Sequence, residues 1–283
     1  MRVSPLVLLA LFALVFPAHA RAATSLHAML PRSVRQAGVL IVGTDASHPP
    51  IEFRNPANGN VEGMDADLAR ALGRKLGVRV RFEDTPFDAL IPQLEAERFD
   101  IIMSAMRVTP ERLRRIDFVD YFLTWNSILV RGGNPERVHG TADLCGKQIG
   151  MERRISRRSE MTQATLTCII GHRGAIEVLA MTTDADALEL LRNGRSVAHI
   201  ADFPVAAYDA RESRGAFEVV GRRFGIAPYG IGVRNGETPL LHALQQALRA
   251  VIADGEYAKI LRTWRVSSGA LTTANVEWGK RSR

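Results

Sequence analysis

The chain has 283 residues, 46% hydrophobic, 24% charged and 6% aromatic, a balance that excludes disordered, collagen-like and coiled-coil classes. This length suffices for one large domain or two medium ones, each with its own core. Lys and Arg number 37 against 30 Asp and Glu, giving a formal charge of +7 and an isoelectric point near 10.0, which leaves nucleic-acid or membrane-surface binding open at the outset.

Arg2 precedes an apolar stretch from Leu6 to Phe16, and Ala18-His19-Ala20 forms a small-x-small cleavage site. A short positive start, an apolar core and such a site predict a secretory signal over residues 1–20, cleaved near Ala20, and a periplasmic destination. The apolar stretch falls short of the roughly 20 residues a bilayer span needs. No cysteine stands at the cleavage site, which argues against a lipid anchor, and nothing later reaches transmembrane length. Residues 21–36 read as a leader.

Val39 to Gly43 is an apolar run suited to a buried strand, and Asn58-Gly59-Asn60 marks a hairpin turn. Asp65 to Leu76 repeats apolar residues at Leu68, Leu72 and Leu76, one helix face that Gly77 ends. Val78 to Phe82 alternates as a strand, Phe87 to Leu94 is helical, and Asp100 to Met103 is a third strand. Such alternation predicts an α/β unit with a largely parallel sheet. Ser127 to Val130 is another apolar run, and Arg131-Gly132-Gly133-Asn134-Pro135 breaks it. A second α/β series follows, with strands at Gln148 to Met151, Ile176 to Met181 and Val197 to Ala201 and a helix at Asp184 to Leu191. Phe217 to Val220 and Tyr229 to Val233 read as two further strands separated by a breaker near 221–228. Helical periodicity returns at Leu241, Leu244, Leu248, Val251 and Ile252, and Asp254-Gly255 separates it from a last short helix ending near Trp264. The pattern predicts two lobes with two chain crossings: lobe 1 from 37–130 and 225–266, lobe 2 from 131–224, and a C-terminal tail over 267–283.

In an oxidising compartment two cysteines 23 positions apart usually pair, as Cys145 and Cys168 would. A metal site there would need further ligands, and His172 is the nearest candidate. The seven histidines show no metal-ligand spacing, so neither metal nor cofactor is expected.

Ligands of open α/β sheets bind beyond the carboxyl ends of the strands. Three segments fall there: Gly43 to Pro50, Ser104 to Arg112, and Ala201 to Pro204. They bring carboxylates at Asp45 and Asp202 and guanidinium groups at Arg107 and Arg112, the set a small zwitterion needs. The same residues have structural uses. Thr109 suits an N-cap with Pro110 behind it, Asp45 suits a turn cap, and Asp202 suits the cap of a following helix.

The order and spacing of Gly43-Thr44-Asp45 with Pro49-Pro50-Ile51-Glu52-Phe53, Gly63 to Ala69, Phe87 to Leu94, Thr109-Pro110-Glu111-Arg112 with Ile116-Asp117-Phe118, and Ala201-Asp202 resembles the periplasmic solute-binding proteins of polar amino-acid ABC importers, extracellular solute-binding family 3. The resemblance runs from about residue 35 to 266 and implies a type II periplasmic-binding-protein fold whose lobes, joined by two crossover strands, close on a ligand like a flytrap. By position, Arg112 corresponds to the grip on a ligand α-carboxylate and Asp202 to the acceptor of its ammonium group. Phe87 corresponds to one wall of an aromatic sandwich, Asp45 to a side-chain selector, and Ser104 and Met106 to donors of backbone groups. Leu144-Cys145-Gly146-Lys147 with Cys168 also resembles the subgroup that bridges its second lobe.

Three positions depart from the family pattern: Arg107 where Ser or Thr is usual, Arg154-Ile155 where a Gly-Thr pair is usual, and His48 where an aromatic is usual. If Arg107 and Arg154 face the cleft, they favour a ligand carrying more negative charge than a neutral amino acid, since unpaired buried cations are unfavourable. If they face solvent, they belong to a basic surface.

The resemblance implies a monomeric binding protein that hands an amino acid or related small carboxylate to an inner-membrane ABC permease. Cyclohexadienyl (prephenate or arogenate) dehydratases share the fold and form the rival class. Dehydration needs a general acid at the leaving hydroxyl, and Phe203 to Ala207, just after Asp202, contains no carboxylate. A membrane-bound sensor would bring a transmembrane segment and a signalling domain. Export, together with arginines spread through both lobes, ranks nucleic acid last as a partner.

Overall fold

The computed structural model describes residues 26–153 and 158–279. The expected signal over 1–20, and Arg154 and Ile155, lie outside the described residues.

Strand β1 (Val39–Thr44) alternates so that Leu40 and Val42 are fully buried, and it pairs in parallel with β5 (Arg79–Asp84) on one side and β6 (Ile101–Ile102) on the other. Helix α1 (Arg32–Ala37) leads into β1, and α2 (Met64–Leu76) joins the lobe through a small three-stranded sheet of β2 (Ser47–His48), β3 (Glu52–Arg54) and β4 (Val61–Glu62). Leu68, Leu72 and Leu76 form the buried face of α2, Asp65 and Asp67 lie at its positive N-terminal end, and Gly77 closes it at φ +70°, a backbone conformation that favours glycine. This face packs with α7 (Thr238–Ala253) and α8 (Glu256–Thr263), whose Leu241, Leu244, Leu248 and Leu261 join the same core. On the opposite side of the sheet, α3 (Phe87–Glu95) buries Leu90, Ile91 and Leu94 against Phe99, Ile102, Ile116 and Phe118.

Two long strands leave this lobe together. Strand β7 (Ile116–Arg131) and strand β11 (Phe217–Arg234) run antiparallel along their whole length, from Ile116 opposite Arg234 to Arg131 opposite Phe217. Their far halves enter a second, smaller core, where Ile128 and Val130 meet Ile149, Met151 and Ile200. Here β7 pairs with β10 (Ala198–Asp202), which pairs in parallel with β8 (Gln148–Glu152), and β8 with β9 (Glu177–Met181). Helices α4 (Arg158–Ile170), α5 (Asp184–Arg192) and α6 (Phe203–Glu212) complete lobe 2. Cys145 and Cys168 form a disulfide with Cα atoms 5.4 Å apart, tying the loop before β8 to α4.

One expectation needs correction. The stretch near 221–228 does not break the chain: it is the middle of β11, and its glycines appear as register shifts between Val220 and Phe224 and between Phe224 and Ala227. The leader contributes to lobe 1, where Leu30 and Val34 are buried in the first core. The tail likewise returns to lobe 1, where β12 (Val276–Glu277) pairs with β7 and Ala274 is fully buried.

Candidate functional site

A cleft of about 910 Å³ opens where the crossover strands pass between the lobes. Lobe 1 lines it with Phe87 and Ile91 of α3 and with the loop from Met106 to Arg112, while lobe 2 contributes Glu160, Thr162 and Gln163 of α4, and β11 contributes Ala227. The opening therefore has walls from both lobes, as a site that works by closure requires.

Buried carboxylates set the shape of the lobe 1 loop. Asp65 accepts hydrogen bonds from the Ala105 amide at 3.0 Å and the Tyr121 hydroxyl at 2.7 Å. Burial pushes its carboxyl up to about 7, against the pull of those donors. Ala105 takes a positive φ of 46°, an unfavourable conformation for a residue with a Cβ, and the hydrogen bond from its N–H to Asp65 supports it there. The next residues then lie against β11: Gly230 donates to the Met106 carbonyl at 2.9 Å, and Val108 donates to Pro228 at 2.9 Å. Arg107, bridged to Tyr229 in this way, is aimed inward.

Arg107 is only 2% exposed. Its Nη2 donates to Asp202 Oδ1 at 2.7 Å and to Asn126 Oδ1 at 2.7 Å, its Nε to Asp202 Oδ2 at 3.4 Å, and its Nη1 to the Gly225 carbonyl at 2.8 Å. The Tyr229 hydroxyl donates to Asp202 Oδ2 at 2.5 Å, and burial beside that carboxylate holds the phenol protonated well above its ordinary range. Gly225 sits at φ +57°, and a Cβ there would approach Asn126 Nδ2 to 2.5 Å, so glycine lets the carbonyl reach Arg107. Asp202, at the end of β10, occupies the N-cap position of α6 but makes no cap bond; its side chain turns to Arg107 instead. The result is a buried, bidentate ion pair between a lobe 1 loop and a lobe 2 strand.

Arg112 stands at the cleft wall. Its guanidinium lies 5.2 Å from the Phe87 ring centroid, and its Nη1 donates to the Arg107 carbonyl at 2.7 Å. Thr109 accepts from the Arg112 amide at 3.3 Å, so the capping role expected of Thr109 applies to a single 3₁₀ turn, Arg112–Arg114. Beyond the ion pair, Phe203 stacks on Trp125 with ring centroids 4.2 Å apart, and the Arg223 guanidinium covers Trp125 at 4.1 Å.

The structure thus brings Phe87, Met106, Arg107 and Arg112 to the cleft and sets Asp202 behind Arg107. Asp45, His48 and Ser104 do not line it. Both Asp45 oxygens are engaged by the chain, Oδ2 accepting from the Phe87 amide at 3.0 Å and Oδ1 from the Ser47 hydroxyl at 2.6 Å, so this carboxylate fixes the start of α3. Ser104 Oγ accepts from the Asp45 amide at 2.9 Å and donates to Glu52 at 3.2 Å, while His48 is buried in the small sheet opposite Glu52. The Met106 carbonyl is taken by Gly230. Asn126, Tyr229 and Gly225, which hold Arg107, carry no sequence signal, since each is a common residue within a long strand.

A second cluster, built around the buried His199, lies within lobe 2. The ligating atoms of Asp184, His199 and Asp209 are within 4.8 Å of one another, with His199 Nε2 3.2 Å from Asp184 Oδ1 and Nδ1 3.2 Å from the Gly150 carbonyl. Burial lowers the imidazole pKa, but Asp184 foremost, with Asp209 and Gly150, outweighs that and leaves it raised.

Residues 40–267 match the family described as bacterial extracellular solute-binding proteins, family 3. The histidine-binding periplasmic protein of Salmonella typhimurium is 30% identical over 251 residues, 86% of this chain and 91% of its own length. Arginine-binding protein ArgT of Corynebacterium glutamicum is 29% identical over 250 residues, 88% and 81% of the two chains. Among solved structures, an ancestral arginine-binding protein bound to arginine superposes with a TM-score of 0.71 at 34% identity, covering 80% of this chain and 98% of that one. The ancestral amino acid-binding protein AncCDT-1, a precursor of cyclohexadienyl dehydratase, gives 0.72 at 31% identity, covering 82% and 97%. The two α/β lobes joined by β7 and β11 have the type II binding-protein fold, and the chain belongs to the family 3 bacterial extracellular solute-binding proteins.

Proposed function

We propose that this protein is an exported, periplasmic binding protein that captures an amino acid or a related small carboxylate between its lobes and delivers it to an inner-membrane ABC permease, acting as a monomer and without catalysing a reaction. The observation that carries the reading is the cleft itself, walled by both lobes at the crossover strands, with the Arg112 guanidinium over Phe87. A planar guanidinium held by a backbone carbonyl offers a carboxylate two parallel hydrogen bonds. The amino-acid-binding relatives support the same ligand class, and the predicted signal over residues 1–20 supports export.

Arg112 is partly exposed, and its removal takes a donor from the Arg107 carbonyl. Arg112→Ala should weaken carboxylate binding by about tenfold to a hundredfold, the range of a charge-assisted hydrogen-bonding pair, while the protein still unfolds in a cooperative melt. Unchanged affinity by calorimetry would overturn the assignment. The dehydratase alternative is tested by incubating the protein with prephenate or arogenate: an aromatic product would replace the binding reading with an enzymatic one.

A further inference from the structure

The wall of the cleft contains an ion pair that the chain makes with itself. Asp202 is 3% exposed, and its oxygens already accept from Arg107 Nη2 and Nε and from the Tyr229 hydroxyl. Arg107 in turn directs two further donors to Asn126 and Gly225. A ligand bearing an ammonium group cannot use Asp202 unless Arg107 leaves it. A displaced Arg107 would then be a buried cation separated from its counter-charge, which is strongly unfavourable. Two acidic residues lining the cleft, Asp88 and Glu111, are exposed. Their attraction for a ligand cation is screened by water and salt. Arg112 still presents its guanidinium at the wall.

We infer that the cleft selects small carboxylates that lack an amine: Arg107 supplies from within the chain the positive charge that an amino-acid ligand would bring, so the ligand needs to supply only the negative one. This rests on the reading of the cleft as a small-carboxylate site, and it changes what Arg107 means. A single arginine free in the cleft would call for an extra ligand charge. An arginine neutralised by Asp202 adds no net charge and instead removes the place where an ammonium group could be received. Glu160, half-buried on the α4 wall, is the competing acceptor for a ligand cation.

The test uses matched pairs that differ only at the α-amino group: glutamate with glutarate, arginine with 5-guanidinopentanoate, and phenylalanine with 3-phenylpropanoate. Binding to the full-length mature protein is followed by calorimetry and thermal shift. In every pair that binds, the acid without the amine should bind at least tenfold more tightly. Arg107→Ser, which opens Asp202 to the cleft, should reverse that order, and Arg107→Ser/Asp202→Asn should abolish the reversal. The comparison on the parent protein stands alone should Arg107→Ser fail to fold. Tighter binding of the amino acid in any pair, through Glu160 or by displacing Arg107, would overturn the inference while leaving the carboxylate-binding reading intact. Absence of binding for every member would overturn that reading itself, and the inference with it.

Discussion

Lobe 1 gathers 33 buried apolar residues into one core among the described residues, drawn from α1, α2, α7, α8 and both faces of the crossover strands. The corresponding core of lobe 2 has 11, and two other devices accompany it there: the Cys145–Cys168 disulfide and the Asp184–His199–Asp209 cluster. Burial contributes roughly 25 cal/mol for each Å² of apolar surface, so the smaller core leaves lobe 2 with less of the main driving force. A cross-link that limits the unfolded chain compensates where apolar area is scarce. Among the described residues, the junction between the lobes holds the Arg107–Asp202 pair with Tyr229 and Asn126, beside the Phe203–Trp125 stack, whose Phe203 packs against the lobe 1 core. The molecule thus relies on packing in one lobe, cross-linking in the other and electrostatics at the junction.

The junction offers the largest effect. Arg107→Met leaves Asp202 buried without its guanidinium, and breaking a buried pair from one side costs about 3–5 kcal/mol. Arg107→Met/Asp202→Leu, which removes both charges and fills the space with apolar groups, should recover most of that loss. Chemical denaturation of the two variants and the parent gives the comparison. If the double variant is as unstable as the single one, the pair's place in the site is set by packing of the surrounding strands, and electrostatics do not govern the junction.

Removing the disulfide comes next. Cys145→Ser/Cys168→Ser frees a loop spanning 23 positions, worth about 3 kcal/mol in the chain-entropy account. The loss should fall on lobe 2, so that the melt shows an early transition and a later one near the parent temperature. Calorimetry distinguishes this from a uniform shift. A uniform shift would mean that β7 and β11 couple the lobes too tightly for their different supports to matter.

What the sequence conveyed follows the same division. Lobe 1 was legible because α2 and α7 repeat leucines at helical spacing and β1 is a clean apolar run. Helix α4 was not anticipated: Leu166, Ile169 and Ile170 are 47%, 50% and 78% exposed, so its apolar residues do not form the single stripe that marks a helix. The middle of β11 reads as a breaker because Gly221, Gly225 and Pro228 punctuate it, whereas in the folded chain they allow the bulges that bend a long strand between lobes. Among the site residues, Arg107, Arg112, Phe87 and Asp202 were each recognisable. The pairing of Arg107 with Asp202 across 95 positions was not, since ion pairing at that separation depends on topology and leaves no local pattern.

The buried charges of lobe 2 give the smallest and most specific effect. Asp209 is pushed up to about 7, first by burial and then by Asp184, with His199 pulling it back. His199 is raised above its ordinary value. Both groups therefore hold protons in the folded protein that the unfolded chain would release at the same pH. For Asp209 the stabilisation is complete at acidic pH and disappears as pH climbs from the ordinary carboxylate range through about 7; for His199 it is present below the ordinary imidazole value and disappears as pH rises through the raised one. The two contributions have the same sign, and so does that of Asp65 in lobe 1, also near 7. The melting temperature should accordingly fall from pH 5 to pH 8. Asp209→Asn mimics the protonated state, so it should melt higher than the parent at pH 8 and almost level with it at pH 5, reducing the slope without removing the share due to Asp65. A variant that lowers stability equally at both pH values would show that Asp209 serves lobe 2 as a fixed anion for His199, and that the cluster works as an ion pair throughout this range.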